Sequence, residues 1–405
     1  MIKYRKLAVA LVCGSLFVAA CGSDSDGTAS TNAPAGTEAP AGTEAPAGTE
    51  APAGTEAPAG TEATSDNPEV AAALASVATR KTFDGTIGVT IPLTGKPEKK
   101  KFAWLECDVP TCAAYITPGF KAAAEAIGWE LDIIPMKSTD PGPAFQQAID
   151  DGADYIGSTG LATAQYQPQL DAAIAAGIGV LSCYGTDDPG PDTIQMQCGD
   201  ETSVSTGAPI MADWAIADSG AAANVLIVSI PDFPVLVAET DAYKAHLKEA
   251  CAKCTVDELN VTLDDLIGGK VPAAVVSAVQ ANSDLNYVYY SFGDLPGGVS
   301  AALETAGLSD QVTAYGLDFS TIDLQEIVDG TMGAWSSNPK GYAGWLMIDA
   351  AARLSLGMEL TEERQAAALP SIIVDDAATA QSIIDTNGDW FPPGAEDAFK
   401  ALWGV

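Results

Sequence analysis

The chain reads as an α/β protein made of two doubly wound lobes with parallel sheets, and three observations predict it. Its 405 residues suit two folded domains with room for tails. From Phe83 onward, short β-rich runs alternate with alanine-rich helical stretches, the order expected of βαβ units. Runs such as Val225–Ile230 (VLIVSI) are continuously apolar, as parallel strands buried on both faces are.

Taken in order, Thr86–Leu93 (TIGVTIPL) reads as the opening strand and leads to a helix near Thr117–Gly128. Strand Glu130–Met136 is followed by helix Pro143–Gly152, strand Ala153–Thr159 by helix Gln167–Gly177, and strand Ile178–Tyr184 closes the first set. After Val225–Ile230 the pattern restarts, with helices at Val235–Lys253, Val271–Asn282, Pro296–Gly307 and Thr321–Gly330. Strands at Thr255–Val261, Asn286–Phe292, Val312–Phe319 and Thr331–Ser337 alternate with them. Glycines at 128, 152, 177, 307, 330 and 357 fall where helices end, the place for a left-handed cap.

The N-terminus reads as an export address. Lys3, Arg5 and Lys6 precede an uncharged apolar run from Leu7 to Val18 and then Ala19-Ala20-Cys21-Gly22, the order of a secretory signal over residues 1–20. Twelve apolar residues are too few to span a bilayer comfortably. Val18-Ala19-Ala20-Cys21 resembles the lipobox of bacterial lipoproteins, which implies a lipid on Cys21 and attachment to the cell membrane. Residues 21–82 are expected to be a disordered tether. Its centre is five consecutive copies of Ala-Pro-Ala-Gly-Thr-Glu from Ala33 to Glu62, where proline and glycine suppress regular structure and spaced glutamates repel one another.

Composition excludes some functions. Fifty-four acidic residues against 19 basic ones give a formal charge of −35, which repels phosphate backbones and makes nucleic acid an unsuitable partner. Six cysteines remain once Cys13 in the signal and Cys21 are set aside, and they form local pairs: Cys107 with Cys112, Cys183 with Cys198, Cys251 with Cys254. In an oxidising compartment these are the simplest disulfides. Cys251-Ala-Lys-Cys254 follows a helix end, where the positive field that activates a redox thiol is absent, so a structural bridge is expected there.

Two α/β lobes in one exported chain place a ligand at the carboxyl ends of strands, in the crevice between lobes. Phe83 to about Val374 resembles the type I periplasmic sugar-binding proteins, the ribose-binding-protein-like receptors of ABC importers. The resemblance rests on IGVTIPLTG, GADYIGST, AAIAAGIGVLS, Tyr289–Gly307 (YYSFGDLPGGVSAALETAG) and Ala314–Phe319 (AYGLDF). It implies a three-crossover hinge, near Gly199–Ser205, Ser336–Pro339 and Pro370–Ile373. Residues 83–202 plus 338–370 would then form lobe 1, and 203–337 plus 371–405 lobe 2. It further implies a monomer that delivers a small solute, expected to be a sugar, to an ABC permease, with no cofactor and no metal.

The resemblance also points to site residues. Asp318, in GLDF, stands where the family has a ligand-binding aspartate, and Asp294, in SFGD, matches the acid of its Asn-Asp pair, with Gly293 in place of the asparagine. Carboxylates suit hydroxyls because a charged acceptor makes strong hydrogen bonds. Each aspartate could instead cap the helix that follows. Aromatic rings at strand ends could stack on sugar faces, and Trp104, Tyr184, Phe233 and Trp335 are the preferred set, with Asn338 as a polar hinge contact. No arginine occurs between Arg80 and Arg353, so a guanidinium clamp for an anion is missing and a neutral or cationic solute fits better, a neutral one being expected.

Enzyme readings do poorly. His246 is the only histidine and sits mid-helix among charged neighbours, with no G-x-S-x-G elbow elsewhere. An exported glycoside hydrolase using two convergent carboxylates stays open as the alternative, as does a receptor that hands its solute to a membrane sensor. The last thirty residues, with Asn387 to Pro393, carry no functional reading.

Overall fold

A computed structural model describes residues 66–405 apart from Asp84, 200–205 and 362–368, and residues 62–405 form one compact unit. The signal, Cys21, the Ala-Pro-Ala-Gly-Thr-Glu repeats and most of the first expected crossover lie outside the described residues. The chain runs α1 (Pro68–Ala78), β1 (Lys101–Glu106), α2 (Thr117–Ile127), β2 (Glu130–Pro135), α3 (Gly142–Asp150), β3 (Tyr155–Thr159), α4 (Gln167–Ala175), β4 (Gly179–Cys183) and β5 (Met196–Cys198). It continues with α5 (Ala208–Asp218), β6 (Asn224–Ser229), α6 (Pro234–Ala250), β7 (Thr255–Asn260), α7 (Leu263–Ile267), α8 (Val271–Ala281), β8 (Tyr287–Tyr290), α9 (Val299–Ala306) and β9 (Thr313–Leu317). The last elements are α10 (Thr321–Asp329), β10 (Met332–Ser337), α11 (Tyr342–Ser355), β11 (Ile372–Val374), α12 (Ala377–Ile384) and α13 (Ala395–Trp403).

Two separate sheets result, as expected. The first has the order β2-β1-β3-β4-β5, all parallel; the second has β11-β10-β9-β8-β6-β7, parallel except for β11 at one edge. Counted within each lobe, both orders begin 2-1-3-4-5, so each sheet has a switch point beside its first strand, and ligands of open α/β sheets sit at such points. The central strands β3, β4 and β8 are buried along their whole length because helices cover both faces. The edge strand β7 (TVDELN) is half exposed and carries Asp257 and Glu258, charges that discourage pairing with another chain.

Several expectations are corrected. Thr86–Leu93 is no strand: Ile87 and Val89 point into the core, but its backbone is held by the Tyr342 hydroxyl on Ile87 O and by Leu93 N–H on Leu402 O. The true first strand is β1, whose apolar Phe102–Leu105 lies directly behind three lysines that gave the stretch a polar look. Residues 68–78 belong to no disordered tether; Asn67 caps α1 by accepting from Glu69 N–H, Pro68 starts it, and Val70, Ala73 and Val77 bury one face on α5. The end of the chain is split as well. α12 packs on α10 in lobe 2, but α13 packs on α2 and α11 in lobe 1, so residues 371–405 do not all belong to lobe 2.

Aromatic packing explains why α13 crosses over. Trp345 of α11 stacks on Phe399 and Trp403 at 5.8 and 5.5 Å. Trp403 Nε1 donates to Asp349 at 2.7 Å, and Arg353 Nε donates to the other oxygen of the same buried carboxylate at 2.7 Å. α11 in turn lies close on α2: a Cβ on Gly119 would collide with the Gly341 carbonyl, and one on Gly344 with the Phe120 backbone. The three expected disulfides are formed. Asp349→Ala should lower unfolding stability by about 3 kcal/mol, because it removes a buried carboxylate that accepts from both Arg353 and Trp403 and so loosens α13. Chemical denaturation with unchanged stability would refute that account of how the C-terminal helix is held.

Candidate ligand-binding site

A cavity of about 80 Å³ lies where the carboxyl ends of both sheets meet. Lobe 1 supplies the Cys107–Cys112 loop with Val109 and Thr111, then Thr159 and Gly160 after β3, and Tyr184 after β4. Lobe 2 supplies Phe233 after β6, Leu236 and Glu239 on α6, Phe292 after β8 and Asp318 after β9. Lys340 enters from the crossover that follows β10. Gly160 adopts φ +73°, a backbone that suits glycine, and the Phe233 ring of the opposite lobe lies beside it.

Backbone strain marks the same place. Among the described residues, Tyr184 (φ 56°) and Asp318 (φ 59°) are two of four non-glycine residues in the left-handed region, and both line the cavity. Such strain costs on the order of 1–3 kcal/mol and survives where surrounding structure fixes it, often at binding sites. For Asp318 the fixing contact is its N–H bond to Ser336 O at 2.7 Å, while the Asp318 carbonyl lies so close to Gly293 that any Cβ there would collide. Position 293 therefore admits only glycine in this backbone. For Tyr184, the N–H bonds Cys198 O at 2.6 Å, and the ring lies against Gly199. The Cys183–Cys198 bridge joins the two strands that carry this arrangement.

Three ionisable groups share the cavity. Lys340, buried, donates to Phe319 O at 2.7 Å and to Ser337 Oγ at 3.0 Å, and its ammonium lies 4.8 Å from the Phe319 ring centre and 5.2 Å from that of Tyr115. Burial pushes the Asp318 carboxyl above the ordinary range, against the pull of the Lys340 charge, the Asn338 backbone N–H and the Ser337 hydroxyl. Burial also raises Glu239, well above a normal glutamate, and the neighbouring charge of Asp318 adds to it. Two carboxyls held above their ordinary range thus face one another across the lining.

The structure brings Tyr184, Phe233 and Asp318 together, and the other expected residues lie elsewhere. Trp104 is fully buried inside lobe 1, stacked on Phe120 at 4.3 Å, with Nε1 donating to Thr117 Oγ1. Trp335 is likewise core, parallel to Tyr290 and donating to Met332 Sδ. Asn338 is buried in the crossover and supports Asp318 through its backbone rather than lining the cavity. Asp294 is no part of the lining; it bridges the lobes, accepting from Thr111 N and Thr111 Oγ1, both at 3.2 Å. A second bridge joins the Tyr115 hydroxyl to Thr321, at 2.7 Å from its N–H and 2.9 Å from its Oγ1.

Sequence reasoning missed Glu239 and Lys340. Lys340 had a legible signal, since it directly follows the expected hinge at Ser336–Pro339; Glu239, in the middle of a helix, had none. His246 sits on α6 with Nε2 2.6 Å from Asp213 Oδ1, away from the cavity lining, and no cluster of metal-ligating side chains occurs among the described residues.

Comparison with known proteins gives the same picture. A tagatopyranose-bound ABC transporter solute-binding protein from Agrobacterium vitis superposes with a TM-score of 0.62 at 17% identity, over 72% of this chain and 100% of its own. A glycerol-bound counterpart from Mycobacterium smegmatis gives 0.59 at 22% identity, over 71% and 97%. The fructose-binding periplasmic domain of a hybrid two-component system gives 0.60 at 12% identity, over 75% and 99%. No curated protein matches the sequence. The family described as "periplasmic binding protein domain" matches residues 113–359. With that match and two parallel-sheet lobes of the observed topology, the chain belongs to the periplasmic binding protein family, as a type I member.

Proposed function

We propose that the protein is an extracytoplasmic receptor whose lobes close on a small neutral solute, a sugar, and which passes it to an ABC-type permease while a lipid on Cys21 holds it to the membrane. The observation that carries this reading is the cavity itself: strained Asp318 and Tyr184, with rings and polar groups from both lobes converging at the carboxyl ends of both sheets. Its family and structural neighbours are solute-binding proteins rather than enzymes, which weighs against the glycoside hydrolase alternative. Delivery to a membrane sensor is the second reading, favoured by the likeness to a domain of a two-component system. Among the described residues no helix is long and apolar enough to cross a membrane, so attachment would rest on the N-terminal segment.

A thermal-shift panel of neutral sugars, polyols, sugar acids and amines tests the solute class, since a ligand specific to the folded state raises the melting temperature. A neutral sugar should give the largest shift; a shift confined to sugar acids would sink the reading. Asp318→Asn, which tolerates the same left-handed backbone, should weaken that sugar by about tenfold to a hundredfold while the fold is kept. Removing the lobe bridge by Asp294→Ala should move the open–closed balance toward open and increase the radius of gyration in solution scattering, an effect that saturating sugar reverses. Cys21→Ser should move the protein from the membrane fraction to the soluble one; an unchanged distribution would rule out lipid anchoring at that residue.

A further inference from the structure

Glu239 is out of place for a core position. On α6 the inward residues Val235, Leu236, Tyr243 and Leu247 form an apolar stripe, and Thr240 on the same face satisfies itself on Leu236 O and Ser229 Oγ. Glu239 lies within that stripe, 1% exposed, and its Oε2 has no hydrogen-bond partner among the described residues. The Tyr184 hydroxyl is equally buried and equally unpartnered. Both residues line the cavity. A buried polar group without a partner costs about 1–3 kcal/mol, so folding alone gives no reason to keep a carboxyl where leucine would pack.

Resting on the sugar-receptor reading, we propose that Glu239 is a solute-recognition residue: its carboxyl, with the Tyr184 hydroxyl, hydrogen-bonds hydroxyls of a neutral sugar held in the cavity. The two orphaned groups then find their partners in the guest, and a guest lacking the matching hydroxyl leaves them buried and unpaired, which is a strong form of discrimination. Protonation fits this role. The groups facing Glu239 are Asp318 after β9, Tyr184 after β4, Tyr289 on β8 and Tyr243 on its own helix, with Lys340 on the cavity wall. Burial first, and the Asp318 charge second, hold the carboxyl neutral into the range where ordinary glutamates are ionised. A neutral carboxyl can donate as well as accept. The folded-state value is raised, so the stabilisation present below the unfolded value of 4.5 is lost as pH rises through the folded one.

The experiment compares wild type with Glu239→Leu and Glu239→Gln, using D-ribose, D-xylose, D-galactose, D-fructose and glycerol as probes in calorimetry and thermal melts. Without sugar, the Leu variant should melt about 2–4 °C higher than wild type, because an orphaned polar group has been replaced by one that suits the stripe. That margin should widen between pH 5 and pH 8. For any probe that binds wild type, the Leu variant should bind at least about tenfold more weakly, and the Gln variant, which keeps a donor and an acceptor, within about threefold. A Leu variant that binds as well as wild type, or that melts lower without sugar, overturns the proposal. If no probe binds wild type, the sugar reading falls by itself, and a sugar-free melting temperature that does not rise still overturns the role given to Glu239.

Discussion

The ammonium of Lys340 is the point on which the two lobes, the cavity and the C-terminal segment depend. It is buried in the crossover after β10, it reaches the Phe319 carbonyl beside the strained Asp318, and it forms part of the cavity wall. On the backbone side, Asp389 accepts from Lys340 N–H at 3.2 Å and from Gly341 N–H at 2.8 Å, while Trp390 Nε1 donates to Ser337 O at 3.0 Å. Residues 389 and 390 thus brace the crossover that follows β10. A buried ammonium is tolerated only where it is hydrogen-bonded, and here the Phe319 carbonyl and the Ser337 hydroxyl supply the bonds. The final thirty residues, silent in the sequence, have this structural task.

Much of the architecture was legible because strand and helix periodicities differ and because parallel strands are apolar throughout. The restart after Val225–Ile230 and the local cysteine pairs follow from patterns a few residues long. Failures arose where such patterns mislead. Lysines 99–101 hid β1, and proximity to a low-complexity repeat hid α1, although Asn67-Pro68-Glu69 is a good helix start.

The site was legible to the extent that strand ends announce it. Tyr184, Phe233 and Asp318 were found because each follows a strand, and the left-handed backbone at two of them is a property no residue letter reveals. Trp104 and Trp335 were misread because a ring in a parallel strand buries for packing reasons alone. Asp294 was misread because the same carboxylate that could hold a hydroxyl from a sugar holds one from Thr111. Lys340 was passed over because arginine was the only cation weighed for the cleft, and Glu239 because helical glutamates ordinarily face water.

The Thr111–Asp294 and Tyr115–Thr321 bridges are made wholly by protein atoms and join one lobe to the other. If the lobes close on a solute as proposed, part of the drive toward the shut form is therefore intrinsic to the polypeptide. Capture and escape then share one bottleneck, the rupture of these few bonds, so dwell time can be long even for a guest whose own contacts are modest. Selection could lengthen or shorten that dwell by editing the rim and leave the choice of guest untouched.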